Sequence, residues 1–322
     1  MLFDKNLGTA KNQSELEELL KKYVPPTYDP LYVCLATRDD FKKERQWIED
    51  MWIEYQQFAD WDFATAFKAR FSQRAWELYL GITLHKRWGL QPGSKSKRES
   101  AGPDFKTIHN TTKGAQTVWI EAIAIEKGDA PNRVPEMVFN DVADLPEDQM
   151  LLRLTSGLDK KFGDKEGYCK YVKRGIVGTD DPYIIAINRS KLEHLDPQIP
   201  LILKCLFRLH QQILFTEPKK LDVKATESFW KTRDHITKAN GSDTKISTGF
   251  FENPEHSGIS AVIYVETDII NSPILLEEMG NNFIIVLNPH AKNPLPEELL
   301  TFGNIWRKEG DQIFLINAFS SK

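Results

Sequence analysis

Two acidic residues, Asp104 and Glu121, stand in a pattern that could do chemistry. Asp104 opens the short extended run Gly102-Pro103-Asp104-Phe105, and Glu121 lies inside the next, Trp119-Ile120-Glu121-Ala122-Ile123-Ala124. The link from His109 to Gln116 is polar and contains Gly114, so the two runs read as a hairpin whose carboxylates can meet near one end. Carboxylates held together repel at neutral pH, and a positive charge between them relieves the repulsion. A hard divalent cation with oxygen ligands is the natural candidate. Glu121 carries the stronger argument. Its run, Val118 to Ile125, is otherwise apolar, and Trp119, Ile123 and Ile125 share its parity, so turning the strand over gives it no polar face. A carboxylate there is costly unless it is paired or metal-bound. The ordinary alternative for acids on paired strands is a surface or salt-bridged role.

The elements around this pair can be read from spacing. Residues 14–23 and 41–59 read as amphipathic helices, and a third helix over about 63–86 repeats Phe67, Phe71, Ala75, Leu78 and Ile82 on one face. A helix from about 147 carries Leu151, Leu152, Leu154 and Leu158 and ends near Lys160 and Lys161, with a second helix after Gly163 through Tyr168 and Tyr171. The apolar run 183–188, bounded by Pro182 and Asn188, reads as a buried strand. Leu201 to Phe215 reads as a helix opened by Pro200. Ile259–Val265, Phe283–Leu287 and Gln312–Ile316 read as strands that extend the central sheet.

The arrangement resembles the catalytic core of the PD-(D/E)XK, or restriction-endonuclease-like, nuclease superfamily. Pro103 and Asp104 match the first half of its motif and Glu121 the acid of the second half. The aromatic-rich helix with Glu77 comes before the hairpin, and a basic helix and buried strand come after it, in the family's order. The resemblance covers roughly residues 63–190. It implies an α/β (α+β) fold with a central mixed sheet flanked by helices. Extra helices precede this core and extra strands follow it. The division would be 1–62, 63–198 and 199–322, the last packed on the same domain. It also implies Mg²⁺ or Mn²⁺ held by Asp104, Glu121, the backbone carbonyl of Ala122 and Glu77. The reaction implied is phosphodiester hydrolysis by an endonuclease, with DNA as substrate. Double-strand cleavage would favour a homodimer.

The sequence departs from the motif at Ile123, where the family has a lysine. Lys127 shares the parity of Glu121 but stands six residues on, roughly 20 Å along a strand, and is too far. Lys106 stands two residues from Asp104, roughly 7 Å along its strand. Relatives can carry the lysine on a neighbouring element, and Arg153, Lys161 and Tyr168 resemble such a helix. Lys161 is therefore expected to act, with Lys160 second. The alternative for either is a solvated helix end complementing the dipole. A nuclease fold that has lost catalysis and binds nucleic acid or protein is the alternative function that Ile123 favours, and a small-phosphoester hydrolase is a third. For Glu77 the alternative is the edge of the buried stripe, reaching solvent.

The composition is that of a soluble globular chain of 322 residues, 41% hydrophobic and 27% charged. A net charge of −4 argues against strong non-specific affinity for DNA. A local basic surface is expected from Lys95, Lys97, Arg98 and Lys106 gripping phosphates; the stretch Lys160, Lys161, Lys165, Lys170, Lys173 and Arg174 would grip them too if it flanks the carboxylates, the alternative for 165–174 being ordinary surface charge. Trp47, Trp52 and Trp61 read as core. Three scattered cysteines, no signal pattern at Met1-Leu2-Phe3-Asp4-Lys5 and no long apolar run lead to a cytoplasmic expectation with no membrane partner.

Overall fold

A computed structural model describes residues 1–4, 7–24, 27–91, 102–111, 114–137, 145–163, 168–194, 199–216, 225–238, 244–275 and 277–317, with backbone alone at 111, 212–216, 225–229 and 317. Five helices come first: α1 Gln13–Tyr23, α2 Pro30–Thr37, α3 Lys42–Tyr55, α4 Phe63–Ala69 and α5 Phe71–Trp88. The hairpin follows, as β1 Phe105–Thr111 and β2 Gly114–Ala124, then α6 Glu147–Phe162, β3 Tyr183–Asn188 and α7 Leu201–Phe207. The remaining strands are β4 Leu209–Thr216, β5 Ala225–Thr232, β6 His235–Thr237, β7 Lys245–Ser247, β8 Ala261–Val265, β9 Ile284–Leu287, β10 Asn304–Glu309 and β11 Gln312–Asn317.

Seven strands form one mixed sheet in the order β1-β2-β3-β8-β9-β10-β11, with β2, β3 and β8 parallel and β1 antiparallel to β2. The strands expected near the C-terminus do extend the central sheet. Helices cover both faces. Alternation along the buried β3 shows why: Ile184 and Ala186 join a core with α2 to α5, while Tyr183, Ile185 and Ile187 join a second core with α6 and α7. On β2, Val118, Ile120 and Ala122 face the first core, and Ile123 and Ile125 the second. No helix among the described residues is long and apolar enough to cross a membrane.

Several sequence expectations give way. The single helix over 63–86 is two, broken at Arg70 (φ −133°, ψ 52°), and the break sets Asp60 and Asp62 within 3.5 Å of Arg74. The helix from Leu201 stops at Phe207, because Arg208 is left-handed (φ 56°) and the chain then enters β4, which pairs with β5. Beyond Gly163 there is no second helix among the described residues, and 168–177 is a chain of turns. The hairpin link is shorter than expected, since His109 pairs with Gln116 in the ladder. Trp47 and Trp52 pack on the first core as expected, but Trp61 is 69% exposed.

Candidate active site

The site is a notch at the edge of the sheet. The β1 ladder ends with Phe105 opposite Ile120, which places Asp104 beside Glu121 one step beyond the last pair. The outer edge of β2 therefore loses its strand partner at Glu121–Ala124, and side chains replace it. Asp104 Oδ2 accepts from the Ala122 N–H at 2.7 Å, and Gln73 Oε1 accepts from the Ala124 N–H at 2.7 Å. Gln73 Nε2 donates to the Ala122 carbonyl at 3.3 Å and to Glu77 Oε1 at 2.8 Å. Buried backbone groups need such partners. Here the partners are the residues with chemical potential.

Two close approaches set the notch. A Cβ at Gly81 would lie 2.3 Å from the Tyr55 ring and 3.1 Å from Phe105, so glycine lets α5 settle on α3 and β1. A Cβ at Gly157 would lie 2.5 Å from Ile125 Cδ1 and 3.6 Å from Ile123 Cδ1, so α6 lies directly on β2. The helix runs antiparallel to the strand: Arg153 Nε donates to the Glu126 carbonyl at 2.8 Å, Gly157 covers Ile125, and Lys161 reaches Glu121. Lys161 is one helical turn beyond Gly157 and therefore on the same face. Its Nζ donates to Glu121 Oε1 at 2.8 Å. Ile123 helps to seat the helix that carries Lys161.

Glu121 is 4% exposed, and Tyr171 Oη stands 3.0 Å from each of its oxygens. Lys170 Nζ lies 3.9 Å from Oε1. Burial pushes the Glu121 carboxyl up, the charge of Asp104 adds to that, and Lys161 opposes it. Burial would lower Lys161, but Glu121 and Asp104 hold its ammonium above the ordinary lysine range. Tyr171 is raised, first by burial and then by the charge of Glu121.

Glu77 comes from α5, on the opposite face of the sheet from Glu121. It is buried, not solvent-reaching, and Arg74 Nη1 donates to its Oε2 at 2.6 Å. Burial first, then Asp104, pushes its carboxyl up to about 7. Asp104 thus acts electrostatically on both glutamates.

Among the described residues, no three or more His, Cys, Asp or Glu side chains gather as a metal-holding group. What is available is oxygen only: the carboxylates of Asp104 and Glu121 and the carbonyl of Ala122. That donor chemistry, with Asp104 raising the Glu121 carboxyl, fits a hard cation completed by waters. Glu77, tied to Arg74 and Gln73, stands behind this set.

Lys160 is exposed and offers its backbone carbonyl to Lys170 at 3.3 Å. Lys106 sits 6.0 Å over the Trp119 ring, on the strand that carries Asp104. Lys95, Lys97 and Arg98 lie outside the described residues. Sequence reasoning missed Gln73 and Tyr171 as site residues, and named Lys170 only within a basic stretch. Gln73 had a signal, its four-residue spacing from Glu77 on one helix face. Tyr171 had none, because its turn is placed by tertiary bonds such as Lys170 N–H to the Phe162 carbonyl at 2.8 Å.

Compared with known protein families, characterised proteins and solved structures, the chain shows no match.

Proposed function

We propose that this chain is a metal-dependent endonuclease that hydrolyses phosphodiester bonds, with DNA as substrate. One observation carries the reading: a lysine from a neighbouring helix meets the buried glutamate of the hairpin at 2.8 Å, beside the aspartate that opens the hairpin. Asp104, Glu121 and the Ala122 carbonyl would hold Mg²⁺ or Mn²⁺. When bound, the cation supplies charge neutralisation for the phosphoryl group and acidifies the attacking water.

The protein's own groups do the rest. Tyr171 and Lys161 fix the Glu121 carboxylate in one orientation. The Lys161 ammonium, held beside the carboxylates that would take the cation, would stabilise negative charge developing on the phosphoryl oxygens. Glu77, held by Arg74 Nη1 at 2.6 Å, gives Gln73 a fixed partner. Gln73 ties Glu77 to the strand edge at Ala122. Cleavage of plasmid and single-stranded DNA with Mg²⁺ or Mn²⁺ tests the reading. Asp104→Ala, Glu121→Ala and Lys161→Ala should each abolish it, and undiminished cleavage by the first two overturns the assignment.

One observation favours a second reading, a catalytically inactive nuclease-fold module that binds nucleic acid or protein. Both oxygens of Glu121 already have partners in Tyr171 and Lys161, a set that is electrically complete without a metal. Titration separates the two, since this module would neither bind Mn²⁺ at the notch nor cleave.

A further inference from the structure

The two edges of the seven-stranded sheet are finished differently. Along β1, Gln91 N–H bonds the Lys106 carbonyl at 3.2 Å and Thr107 Oγ1 donates to the Trp88 carbonyl at 2.7 Å, so the chain from Trp88 to Gln91 covers that edge. β11 is the other edge, and among the described residues no strand pairs with its outer side. It runs from Gln312 to Asn317 without a charge. Phe314, Leu315 and Ile316 are 43, 46 and 42% exposed. Phe314 and Ile316 lie on one face, opposite Arg307 and Ile305 of β10, and Leu315 lies on the other, opposite Trp306. The neighbouring charges are matched within the chain, Arg307 by Glu297 and Glu309 and Lys308 by Glu252. Open edges are normally guarded by a charge, a proline or a bulge, and this strand has none of them. Which backbone groups point outward follows from the turn. Gly310 (φ 57°) and Asp311 make a two-residue turn, so Glu309 and Gln312 are a hydrogen-bonded pair, as are Arg307–Phe314 and Ile305–Ile316. The N–H and C=O groups of Ile313, Leu315 and Asn317 therefore point away from β10.

We propose that β11 pairs antiparallel with β11 of a second copy of this chain, about a two-fold axis at Leu315, to make one continuous sheet. A second copy fits because the strand is self-complementary. It carries no charge to repel its own kind, and it offers apolar side chains on both faces and open backbone groups between them. Alternation of side chains across the sheet restricts the two-fold axis to a single residue, and Phe314 and Leu315 are the two positions that let most of the strand pair. With the axis at Phe314, Ile316 would face Gln312. With the axis at Leu315, Leu315 meets its own copy and Phe314 meets Ile316 of the second copy, so all three exposed apolar residues find apolar partners across the pair. The outward groups of Ile313, Leu315 and Asn317 then bond those of Asn317, Leu315 and Ile313 in the second copy. The pairing consumes both β11 edges, so the assembly closes as a dimer. It stands independently of the nuclease reading. β2 lies five strands from β11 in each copy, so the two notches are roughly 50 Å apart and do not converge on one short site.

Sedimentation velocity of the full chain over a range of concentrations is the test. Pairing of one edge strand covers less than a standard interface, so a reversible dimer with micromolar dissociation is expected. Leu315→Lys and Leu315→Glu each set like charges opposite one another and should each be monomeric, with circular dichroism and Tm unchanged because the residue is half-exposed. An equimolar mixture of the two should recover the dimer, which a loss of folding would not allow. Leu315→Cys tests the axis without a charge. Its two copies form a hydrogen-bonded pair with Cα atoms about 5.5 Å apart, within reach of a disulfide, so mild oxidation should give a covalent dimer beyond the wild-type level, and Phe314→Cys should not. A wild-type chain that stays monomeric throughout overturns the proposal, and the open strand then suits an extended segment of a different chain. A dimer that both charged variants retain also overturns it, because the contact then lies on another surface. So does a species that keeps growing beyond two copies, which is open-ended pairing. Crosslinking through Phe314→Cys alone overturns the axis at Leu315.

Discussion

Replacing Lys161 by methionine tests the centre of the argument. The two side chains are similar in length, so packing against β2 changes little and the charge is removed. Glu121 is 4% exposed and keeps two hydrogen-bonding distances of 3.0 Å to Tyr171 and Lys170 at 3.9 Å. Breaking a buried ion pair costs about 3–5 kcal/mol when the remaining charge is left unpaired. With Tyr171 and Lys170 still in place, the low end applies, about 3 kcal/mol. For a chain of this size that lowers Tm by roughly 5 °C.

The loss should depend on pH, with a definite sign. The Glu121 carboxyl in the folded protein already lies above its ordinary 4.5, through burial and then Asp104, and losing Lys161 raises it further. The folded variant then keeps a proton that the unfolded chain has released. Its stability therefore falls as pH rises from about 4.5 through the raised folded value, more steeply than that of the wild type. Scanning calorimetry in EDTA should show near-equal Tm values at pH 4.5 and the full deficit at pH 8. The double variant Glu121→Gln/Lys161→Met should recover most of the stability at pH 8, because neither charge is then left alone, yet should remain inactive in plasmid cleavage. Two results would refute the reasoning: a Lys161→Met deficit of the same size at both pH values, or cleavage at the wild-type rate.

Other perturbations separate the roles of the remaining residues. Asp104→Asn keeps an acceptor for the Ala122 N–H but removes the charge that raises both glutamates. The variant should stay folded by calorimetry in EDTA at pH 8, because the Ala122 N–H keeps its acceptor, while Mg²⁺-dependent cleavage is lost. Glu77, with a folded value of about 7 against an ordinary 4.5, lowers wild-type stability by up to about 3 kcal/mol as pH rises through that interval. Glu77→Gln should therefore flatten the stability profile between pH 5 and 8, and an unchanged slope would remove Glu77 from the account. Tyr171→Phe deletes the hydroxyl that holds Glu121 and should cost about 1–2 kcal/mol by chemical denaturation. Gly157→Val forces α6 away from Ile125 and should cost about 1–3 kcal/mol, with cleavage falling further than stability because Lys161 moves with the helix.

The parts of the fold that could be read in the sequence are those where local chemistry and tertiary packing agree. The apolar run at β3 has Pro182 and Asn188 at its ends and is buried on both faces, so composition alone marks it. The leucine stripe of α6 faces its core as spacing predicts. The hairpin follows from Gly114 and the carboxylate in an apolar strand. Elements defined by distant partners were hidden. Nothing local says that β8 pairs with β3, or that the chain after Phe207 becomes a strand; Leu209 to Thr216 has enough apolar character to extend the helix until β5 claims it. The break at Arg70 is hidden for the same reason, because Asp60 and Asp62 meet Arg74 only in three dimensions.

The lysine shows how far such reasoning reaches. A motif lysine at position 123 would lie on the face of β2 that α6 covers, where Ile123 Cδ1 stands 3.6 Å from the space a Cβ on Gly157 would take. A lysine stem there would compete with α6 for the space beside Gly157. With isoleucine at that position α6 can close on the sheet, and closing is what brings Lys161 to Glu121. Gly157 precedes Lys161 along the helix while its partner Ile125 follows Glu121 along the strand, so both contacts can form only if the elements run in opposite directions. That direction is a tertiary fact. A search along β2 for a lysine beside Glu121 therefore finds none, whereas the helix that covers the strand brings Lys161 there, one turn beyond the glycine that lets the two touch.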